Sequence, residues 1–176
     1  MADTLVDDLA RIDTQALAAW LAAHVPDATG PVTAQKFPGG QSNPTFLVTV
    51  GGRKFVLRKK PPGTLLKSAH AVDREYRVMT ALAGTGVPVP RTVALCEDEG
   101  VLGTMFFLME HVEGRIFWDP AMPGSNPTER TAVYDALNGA LAALHTVDVA
   151  AAGLADFGRP GDYFARQTKR WTDQYR

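Results

Sequence analysis

Two adjacent glycines, Gly51 and Gly52, separate two strand-like runs, and this pattern restricts the fold more than any other in the sequence. The flanking runs are residues 45–50 and 54–60. A two-residue loop with glycine at both positions is typical of a β-hairpin, because the tight turn requires positive φ angles. A third run, residues 32–37, precedes them. The sequence therefore predicts an antiparallel, three-stranded meander.

The first turn of this meander carries the segment Phe-Pro-Gly-Gly-Gln-Ser-Asn, residues 37–43. The adjacent glycines Gly39 and Gly40 allow a tight turn and a close approach of backbone to a ligand. Backbone N–H groups gathered in such a turn form a concavity that binds anions, and Ser42 and Asn43 add short polar side chains. The same residue types dominate ordinary hairpin loops, so the segment alone leaves both interpretations open.

Helices are predicted around the meander from apolar residues at helical spacing and from their boundary residues. Asp13 or Thr14 caps the first helix, and Pro26 ends it. A long helix over residues 128–147 should turn its apolar residues inward, and a last helix is expected over 162–176. The predicted apolar faces are Leu17, Trp20, Leu21 and Val25 in the first helix; Val72, Tyr76, Met79 and Leu82 in a helix over 68–83; and Val133, Leu137, Leu141 and Leu144 in the long helix.

Two further strands are predicted, over residues 92–97 and 103–113, joined by a turn at 98–100. The second has an apolar centre, residues 105–109, as expected for a buried strand, and becomes polar from Glu110 onward. Strands with one helix among them, followed only by helices, indicate an α+β fold with a five-stranded antiparallel sheet. We expect residues 1–113 to form the sheet-containing part, with its N-terminal helix within 1–31, and residues 114–176 to be a linker and helices.

Composition excludes several classes of protein. The chain has 176 residues and a formal net charge of −1, without the basic excess of nucleic-acid-binding or anionic-membrane-binding proteins. No apolar run approaches the ~18 residues of a membrane span, and the acidic start lacks the basic region of a signal peptide. The single cysteine, Cys96, excludes an intrachain disulfide. These features predict a cytoplasmic protein without nucleic-acid or membrane partners.

Glu75 lies on the apolar face of the helix over residues 68–83. An unpaired buried carboxylate is energetically costly, so Glu75 either pairs with a cation or reaches water at the edge of that face. Arg58 and Lys60 on the preceding strand are the nearest candidates by sequence. Strand alternation places Val56 and Arg58 on one face, where Arg58 is either an ordinary solvated cation or a ligand for anions, with Lys60 as its substitute.

Several segments together resemble the aminoglycoside phosphotransferase and choline kinase family, which has a protein-kinase-like fold. The likeness is strongest to the phosphotransferase-like domain of acyl-CoA dehydrogenase family members 10 and 11 and its bacterial stand-alone relatives. The matching segments are FPGGQSNPTFLV, KFVLRKKPPG, SAHAVDREYRVMTAL, GVPVPRT, FFLMEHVEGR, LAALHTVD and GLADFGRPGDYFARQTKRW. The resemblance implies an ATP-binding N-terminal lobe followed by the first helices of a helical C-terminal lobe.

The resemblance also implies residue roles. Gly39 to Asn43 would be the nucleotide-positioning loop, with Ser42 nearest the phosphates, and Val56 would cover the adenine. Arg58 would bind the α- and β-phosphates, where protein kinases have a lysine, and Glu75 would pair with it. Met109 would close the back of the pocket, and the Glu110 C=O and Val112 N–H would bond the adenine, leaving His111 exposed. The ATP-binding residues implied are Gly39, Gly40, Gln41, Ser42, Asn43, Val56, Arg58, Glu75, Met109, Glu110 and Val112.

The family's catalytic loop and metal-binding acid have no match in this sequence. The pair His145 and Asp148 has the wrong spacing, and Asp156-Phe157-Gly158, which spells the magnesium motif of protein kinases, resembles a connecting loop of this branch. We therefore expect no catalytic or metal-binding residue in the chain. ATP and Mg²⁺ are the implied cofactors, with the metal ligands expected beyond Arg176, and the chain alone is expected to be inactive.

Three functional hypotheses follow. The first is an ATP-dependent kinase that phosphorylates a hydroxyl of a small metabolite, such as a hydroxyacyl-CoA. The second is a pseudokinase module that binds a nucleotide or a partner protein without catalysis. The third is a plain α+β scaffold. Apolar surfaces on the C-terminal helices would favour self-association.

Overall fold

The computed structural model describes residues 12–38, 43–63, 70–158 and 161–175. These residues form five strands and five helices, which we number in chain order. The strands are β1 (Val32–Lys36), β2 (Thr45–Val50), β3 (Arg53–Lys59), β4 (Thr92–Cys96) and β5 (Phe106–Glu110). The helices are α1 (Thr14–His24), α2 (Val72–Leu82), α3 (Glu99–Leu102), α4 (Pro127–His145) and α5 (Tyr163–Gln174).

The strands form one antiparallel sheet in the order β1-β2-β3-β5-β4, so the predicted five-stranded sheet is confirmed. The hairpin between β2 and β3 turns at Gly51 and Gly52, whose φ angles are 55° and 76°. A side chain at Gly51 would also lie 3.0 Å from the Thr29 carbonyl oxygen. Glycine is thus needed there for both conformation and space.

One face of the sheet packs against α1. Asp13 caps this helix by accepting hydrogen bonds from the Gln15 and Ala16 N–H groups, both at 3.0 Å, and the ring of Trp20 meets the ring of Phe106 edge-on. Sheet residues that alternate toward α1 are almost completely buried, as period-two alternation requires. They are Phe46, Val48, Val50, Phe55, Leu57, Phe106 and Leu108.

The opposite face packs against α2. Phe107 is fully buried there and contacts the ring of Tyr76 edge-on, with centroids 5.8 Å apart. Val72 at the start of α2 is also fully buried. The sheet therefore carries a helix on each face, and α2 lies over the face that holds Arg58.

The predictions for three segments were wrong. Helix α2 begins at Val72, because His70 has a φ of 59° and Ala71 is non-helical; the predicted start at Ser68 lies outside the described residues. The predicted turn at 98–100 is the short helix α3, which Asp98 caps and Gly103 ends in the left-handed conformation. Strand β5 consequently begins at Phe106 and ends at Glu110, so it is shorter than predicted.

The predicted inward face of the long helix was also wrong. In α4, Leu137, Leu141 and Leu144 are exposed by 59%, 47% and 44%. Neither α4 nor α5, which the structure describes completely, contains a buried residue. The apolar periodicity was read correctly as helical, but the described part of the chain supplies no surface to cover it.

None of the helices in the described ranges is long and apolar enough to cross a membrane.

Candidate functional site

Arg58 lies in the centre of the sheet face that α2 covers. Its neighbours Phe55 and Leu57 are buried toward α1, so alternation directs Arg58 and Val56 to the other side. In register, Arg58 stands between Thr45 of β2 and Phe107 of β5. The Arg58 side chain is 32% exposed. Its position thus leaves part of the guanidinium accessible.

Glu75 pairs with Arg58, as predicted. The Arg58 Nε lies 2.5 Å from Glu75 Oε2, and the Glu75 side chain is 37% exposed. The Arg58 N–H is not directed along that line, so the contact is an ion pair and not an aligned hydrogen bond. The adjacent Tyr76 packs on Phe107, which is one of the contacts that orient α2 with Glu75 toward Arg58.

Asn43 holds the other oxygen of Glu75. This residue is 4% exposed, and its Nδ2 donates to Glu75 Oε1 at 2.8 Å. Thr45 Oγ1 donates to the Asn43 carbonyl oxygen at 3.0 Å and accepts from Arg58 Nη1 at 3.3 Å. The end of the glycine-containing loop is therefore tied to the Arg58–Glu75 pair through a buried amide.

His70 completes this cluster. Its Nδ1 lies 2.9 Å from Asn43 Oδ1. Because the amide nitrogen of Asn43 donates to Glu75, its oxygen faces His70, and His70 Nδ1 must be the donor. His70 holds this place with a φ of 59°, in the left-handed region that a histidine seldom occupies. Backbone strain of this kind persists where surrounding contacts over-determine it.

A second row of residues lies beside Arg58 on the same sheet face. Val56 is in register with Leu47 and Met109. Next to it opens a cavity of about 580 Å³, lined by Phe37, Val56 and residues 111–116. Such a volume lies within the range of small-molecule pockets, ~300–1,000 Å³. An apolar floor and a neighbouring cation therefore occur side by side.

The chain leaves β5 at the rim of this cavity. The Glu110 N–H donates to the Arg91 carbonyl oxygen at 2.9 Å, and the Glu110 carboxylate pairs with the Arg91 guanidinium. The hydrogen bond from Arg91 holds the pKa of Glu110 below its usual value. The Val112 N–H makes no hydrogen bond to any described residue. This backbone donor at the cavity's edge is thus free to meet a ligand.

The predicted site residues fall into three groups. Val56, Arg58, Glu75, Met109, Glu110 and Val112 lie around the cavity and the ion pair, and Asn43 supports them. Gly39, Gly40, Gln41 and Ser42 lie outside the described residues. The substitute cation Lys60 lies beyond the end of β3 and donates its backbone N–H to the Met105 carbonyl oxygen at 2.9 Å.

Sequence reasoning missed three residues of the site. Phe37 lines the cavity although it was assigned to a strand, Thr45 contacts Arg58, and His70 had no recognised partner. The position of Phe37 at the start of the glycine-containing segment was the available signal. Nothing local connects His70 with Asn43, since 27 residues separate them.

The Asp156-Phe157-Gly158 segment contacts the outer side of α2. The carboxylate of Asp156 binds the Arg77 guanidinium, and the resulting hydrogen bond lowers the pKa of Asp156. Within the described residues, no three His, Cys, Asp or Glu side chains gather as a metal site. The Asp156 carboxylate is therefore held by a cation of the protein itself.

Comparisons with known proteins agree with this architecture. The model of the phosphotransferase enzyme family matches residues 33–176. Acyl-CoA dehydrogenase family member 10 of Mus musculus is 52% identical over 149 residues, which are 85% of this chain and 14% of that protein. This chain therefore spans a small part of that relative.

Two solved structures have the same fold. One is described as a "putative aminoglycoside phosphotransferase" from Ralstonia eutropha JMP134; it is 53% identical, with a TM-score of 0.78 over 94% of this chain and 47% of that one. The other is aminoglycoside phosphotransferase APH(4)-Ia in a ternary complex with AMP-PNP and hygromycin B. It is 20% identical, with a TM-score of 0.52 over 77% of this chain and 40% of that one, and supports the fold alone. From its sheet and the match over residues 33–176, this chain belongs to the phosphotransferase enzyme family.

Proposed function

We propose that this chain binds ATP between β3 and residues 111–116, as the nucleotide-binding part of a small-molecule kinase. The observation that carries the proposal is the Arg58–Glu75 ion pair, on the same sheet face as Val56 and its cavity. Phosphoryl transfer depends mainly on positioning and on neutralising phosphate charge. Arg58, held by Glu75, would neutralise phosphate charge, and the apolar cavity beside it would position the nucleotide. We place the division between the two lobes near residue 113.

The adenine would occupy the cavity. Val56 would cover the adenine and Met109 would close the back of the pocket, while the Glu110 C=O and the Val112 N–H would bond the edge of the base. The support for this placement is the unengaged Val112 N–H at the rim and the apolar floor below it. Phe37 would add an aromatic wall to the same cavity.

The phosphates would lie against Arg58. Its Nη1 and Nε are engaged by Thr45 and Glu75, whereas its Nη2 makes no hydrogen bond within the described part of the chain. A guanidinium held on one edge can offer the remaining N–H groups to phosphate oxygens without losing further rotamer freedom. Asn43 would then position the pair, while Gly39–Ser42 would approach the phosphates, a role that stays a prediction.

Mg²⁺ is part of the proposal only as a cofactor of the whole kinase. The described residues offer no cluster of acidic side chains that fits the ion. We therefore assign it no ligand in this chain. We expect the 176-residue chain to bind ATP without transferring its γ-phosphate.

We propose the hydroxyl of a small metabolite, for example a hydroxyacyl-CoA, as the acceptor. The support is the likeness to acyl-CoA dehydrogenase family member 10, of which this chain spans 14%. A cytoplasmic location remains a prediction from the sequence, and the free, buried thiol of Cys96 is compatible with it.

ATP titration of purified variants tests the site. Arg58→Ala and Glu75→Ala should each weaken ATP binding by roughly 10-fold to 100-fold, because a hydrogen bond to a charged group contributes ~1.5–3 kcal/mol. Arg58→Lys should retain part of the affinity, since lysine keeps the positive charge but loses the bidentate hydrogen-bonding geometry of the guanidinium. Arg53→Ala, on the same strand but bonded to the Pro26 carbonyl oxygen, is the matched control and should bind normally.

Two results would contradict the proposal. If neither Arg58→Ala nor Glu75→Ala changes the ATP affinity, the assignment of these residues to the ATP site is wrong. Turnover of ATP by the 176-residue chain would refute the expected inactivity. Binding without any turnover even in a longer chain that carries a catalytic loop would favour the pseudokinase module.

We also propose that the chain self-associates through its C-terminal helices. Leu137 and Leu141 of α4 and Trp171 of α5 are each exposed by 47% or more. Sedimentation of wild type should reveal oligomers that Leu137→Glu combined with Leu141→Glu reduces. The control Val149→Glu, an exposed residue outside both helices, should leave them unchanged. A monomeric wild type at tens of micromolar would refute this idea.

A further inference from the structure

The loop from Gly153 to Gly158, which we call the brace loop, contacts the outer side of α2. Arg77 Nη2 donates to the Gly153 carbonyl oxygen at 3.1 Å and pairs with the Asp156 carboxylate. Arg74 Nη2 donates to the Phe157 carbonyl oxygen at 2.7 Å, and its guanidinium lies 3.9 Å from the Phe157 ring centroid. Residues about 80 positions apart in sequence are thus joined by several directed contacts.

These contacts lie away from the site face of α2. Arg74 and Arg77 are three residues apart and share one side of the helix. Glu75 is one position from Arg74 and two from Arg77, so it faces a different direction, toward the sheet. The helix is therefore held from two sides, by the Arg58 ion pair on the inside and by the brace loop on the outside.

Few other contacts fix the rotation of α2. Its N-cap residue Ala71 forms no side-chain capping bond, and the helix has 11 residues. Within the described chain, its inward anchors are the buried Val72 and Leu82, the Tyr76 contact with Phe107, and a hydrogen bond of 2.8 Å between the hydroxyls of Thr80 and Thr92. A short helix without a side-chain cap depends on tertiary contacts for its stability, so contacts on its outer side also help to hold it in place.

We propose that the brace loop positions α2 so that Glu75 stays on Arg58, which makes Arg74, Arg77, Asp156 and Phe157 positioning residues of the nucleotide site. The inference rests on the proposed function. It also gives a role to Asp156-Phe157-Gly158, whose carboxylate and ring both engage arginines of α2. The segment acts on the nucleotide through the orientation of α2, and its Phe157 lines the same open cavity as Glu75.

The first measurement is amide hydrogen exchange along Val72–Leu82, which requires no nucleotide. Asp156→Asn and Phe157→Ala should each speed exchange there by about threefold to tenfold, the range expected for losing a partly exposed ion pair or cation–π contact. Asp173→Asn is the matched control, because Asp173 pairs with Lys169 at 3.1 Å on the exposed surface of α5. It should leave the exchange of α2 unchanged.

The second measurement is a double-mutant cycle on ATP affinity. Phe157→Ala should weaken binding severalfold in the wild-type background and have no further effect in the Glu75→Gln background, because the brace loop acts through Glu75. Arg77→Lys, which keeps a cation opposite Asp156, should bind more tightly than Arg77→Ala. A role limited to general stability would produce equal losses in both backgrounds.

The outcomes separate this inference from the proposed function. Unchanged α2 exchange in both Asp156→Asn and Phe157→Ala overturns the brace. ATP binding that depends on Arg58 but not on the brace loop also overturns it, and leaves the proposed function standing. If wild type binds no ATP, the proposed function fails, and α2 exchange alone decides whether the brace holds Glu75 in place.

Discussion

The sheet region, residues 12–110, and the helical region, residues 127–175, use apolar residues in opposite ways. Strands β2, β3 and β5 bury their alternating residues between α1 and α2, down to 0% exposure at Leu57 and Phe106. Helices α4 and α5 have comparable apolar residues but bury none of them. The two regions therefore differ in whether the described chain supplies a partner for each apolar surface.

This difference shows that apolar spacing predicts an element and its period, but not its burial. A strand between two neighbours and two helices has its surfaces covered by residues close in the fold. An amphipathic helix needs a second surface, which no nearby segment has to provide. The sheet region is thus stabilised by its own core, whereas the helical region buries Leu154 in its connecting loop and makes polar contacts through Arg74 and Arg77.

The largest expected effect is on the core of the sheet region. Phe106→Ala should lower the free energy of unfolding by about 3–5 kcal/mol, because it removes a fully buried ring that contacts Trp20. Val149→Ala in the helical region should cost less than ~1 kcal/mol, since that residue is 55% exposed and lies outside both helices. Urea unfolding of both variants measures the two values. Equal losses would contradict the distinction between the regions.

A smaller effect is expected from the buried amide that joins the glycine-containing loop to α2. Asn43→Ala should cost about 1–3 kcal/mol of stability, because it deprives Glu75 and His70 of a hydrogen-bond partner in a poorly solvated place. Asn138→Ala, on the exposed surface of α4, is the control and should be within ~0.5 kcal/mol of wild type. A loss at Asn138 as large as that at Asn43 would show that burial does not separate the two sites.

The smallest effect concerns Lys59 at the end of β3. Burial lowers the pKa of Lys59 from its ordinary value of 10.5, so the fold disfavours the charged amine at neutral pH. Between the lowered pKa and 10.5 the unfolded chain binds more protons than the folded chain, and stability therefore rises with pH in that window. Lys59→Met should raise the melting temperature by about 1–2 °C at pH 7, and this advantage should shrink toward pH 10.

Melting curves of wild type and Lys59→Met at several pH values measure this advantage. Lys169→Met, which changes an exposed lysine of α5, is the control. An advantage of Lys59→Met that grew with pH would show that the amine is stabilised by a partner and not penalised by burial.

Much of the sheet region could be predicted because its signals are local. The bounds of β2 were predicted correctly because the positive φ angles at Gly51 and Gly52 end the strand within two residues. Asp13 and Thr14 were both candidates for the first cap, and the structure selects Asp13, whose short acidic side chain reaches the free N–H groups of the first turn. The Arg58–Glu75 pair was predicted from the family resemblance together with the cost of an unpaired acid on an apolar face.

Errors occurred where distant contacts decide the local conformation. His70 interrupts the predicted start of α2 because its ring reaches Asn43 and its backbone adopts a positive φ. One error concerned a local signal: residues 99–102, which resemble a turn, form α3, and the Asp98 carboxylate caps it. The exposure of Leu137 and Leu141 could not be read from a spacing that is the same in buried helices.

The sequence by itself determined the order of the five strands and of the four longer helices, the sheet hairpin and the family to which the chain belongs. These depend on turn conformation, side-chain alternation and residue identity, all of which act over a few positions. Only the tertiary structure decided that Asn43 and His70 hold Glu75 from one side and that the brace loop holds α2 from the other. Such contacts join residues 27 to 83 positions apart. They contribute to stability only once the fold has brought both partners together, so no local pattern predicts them.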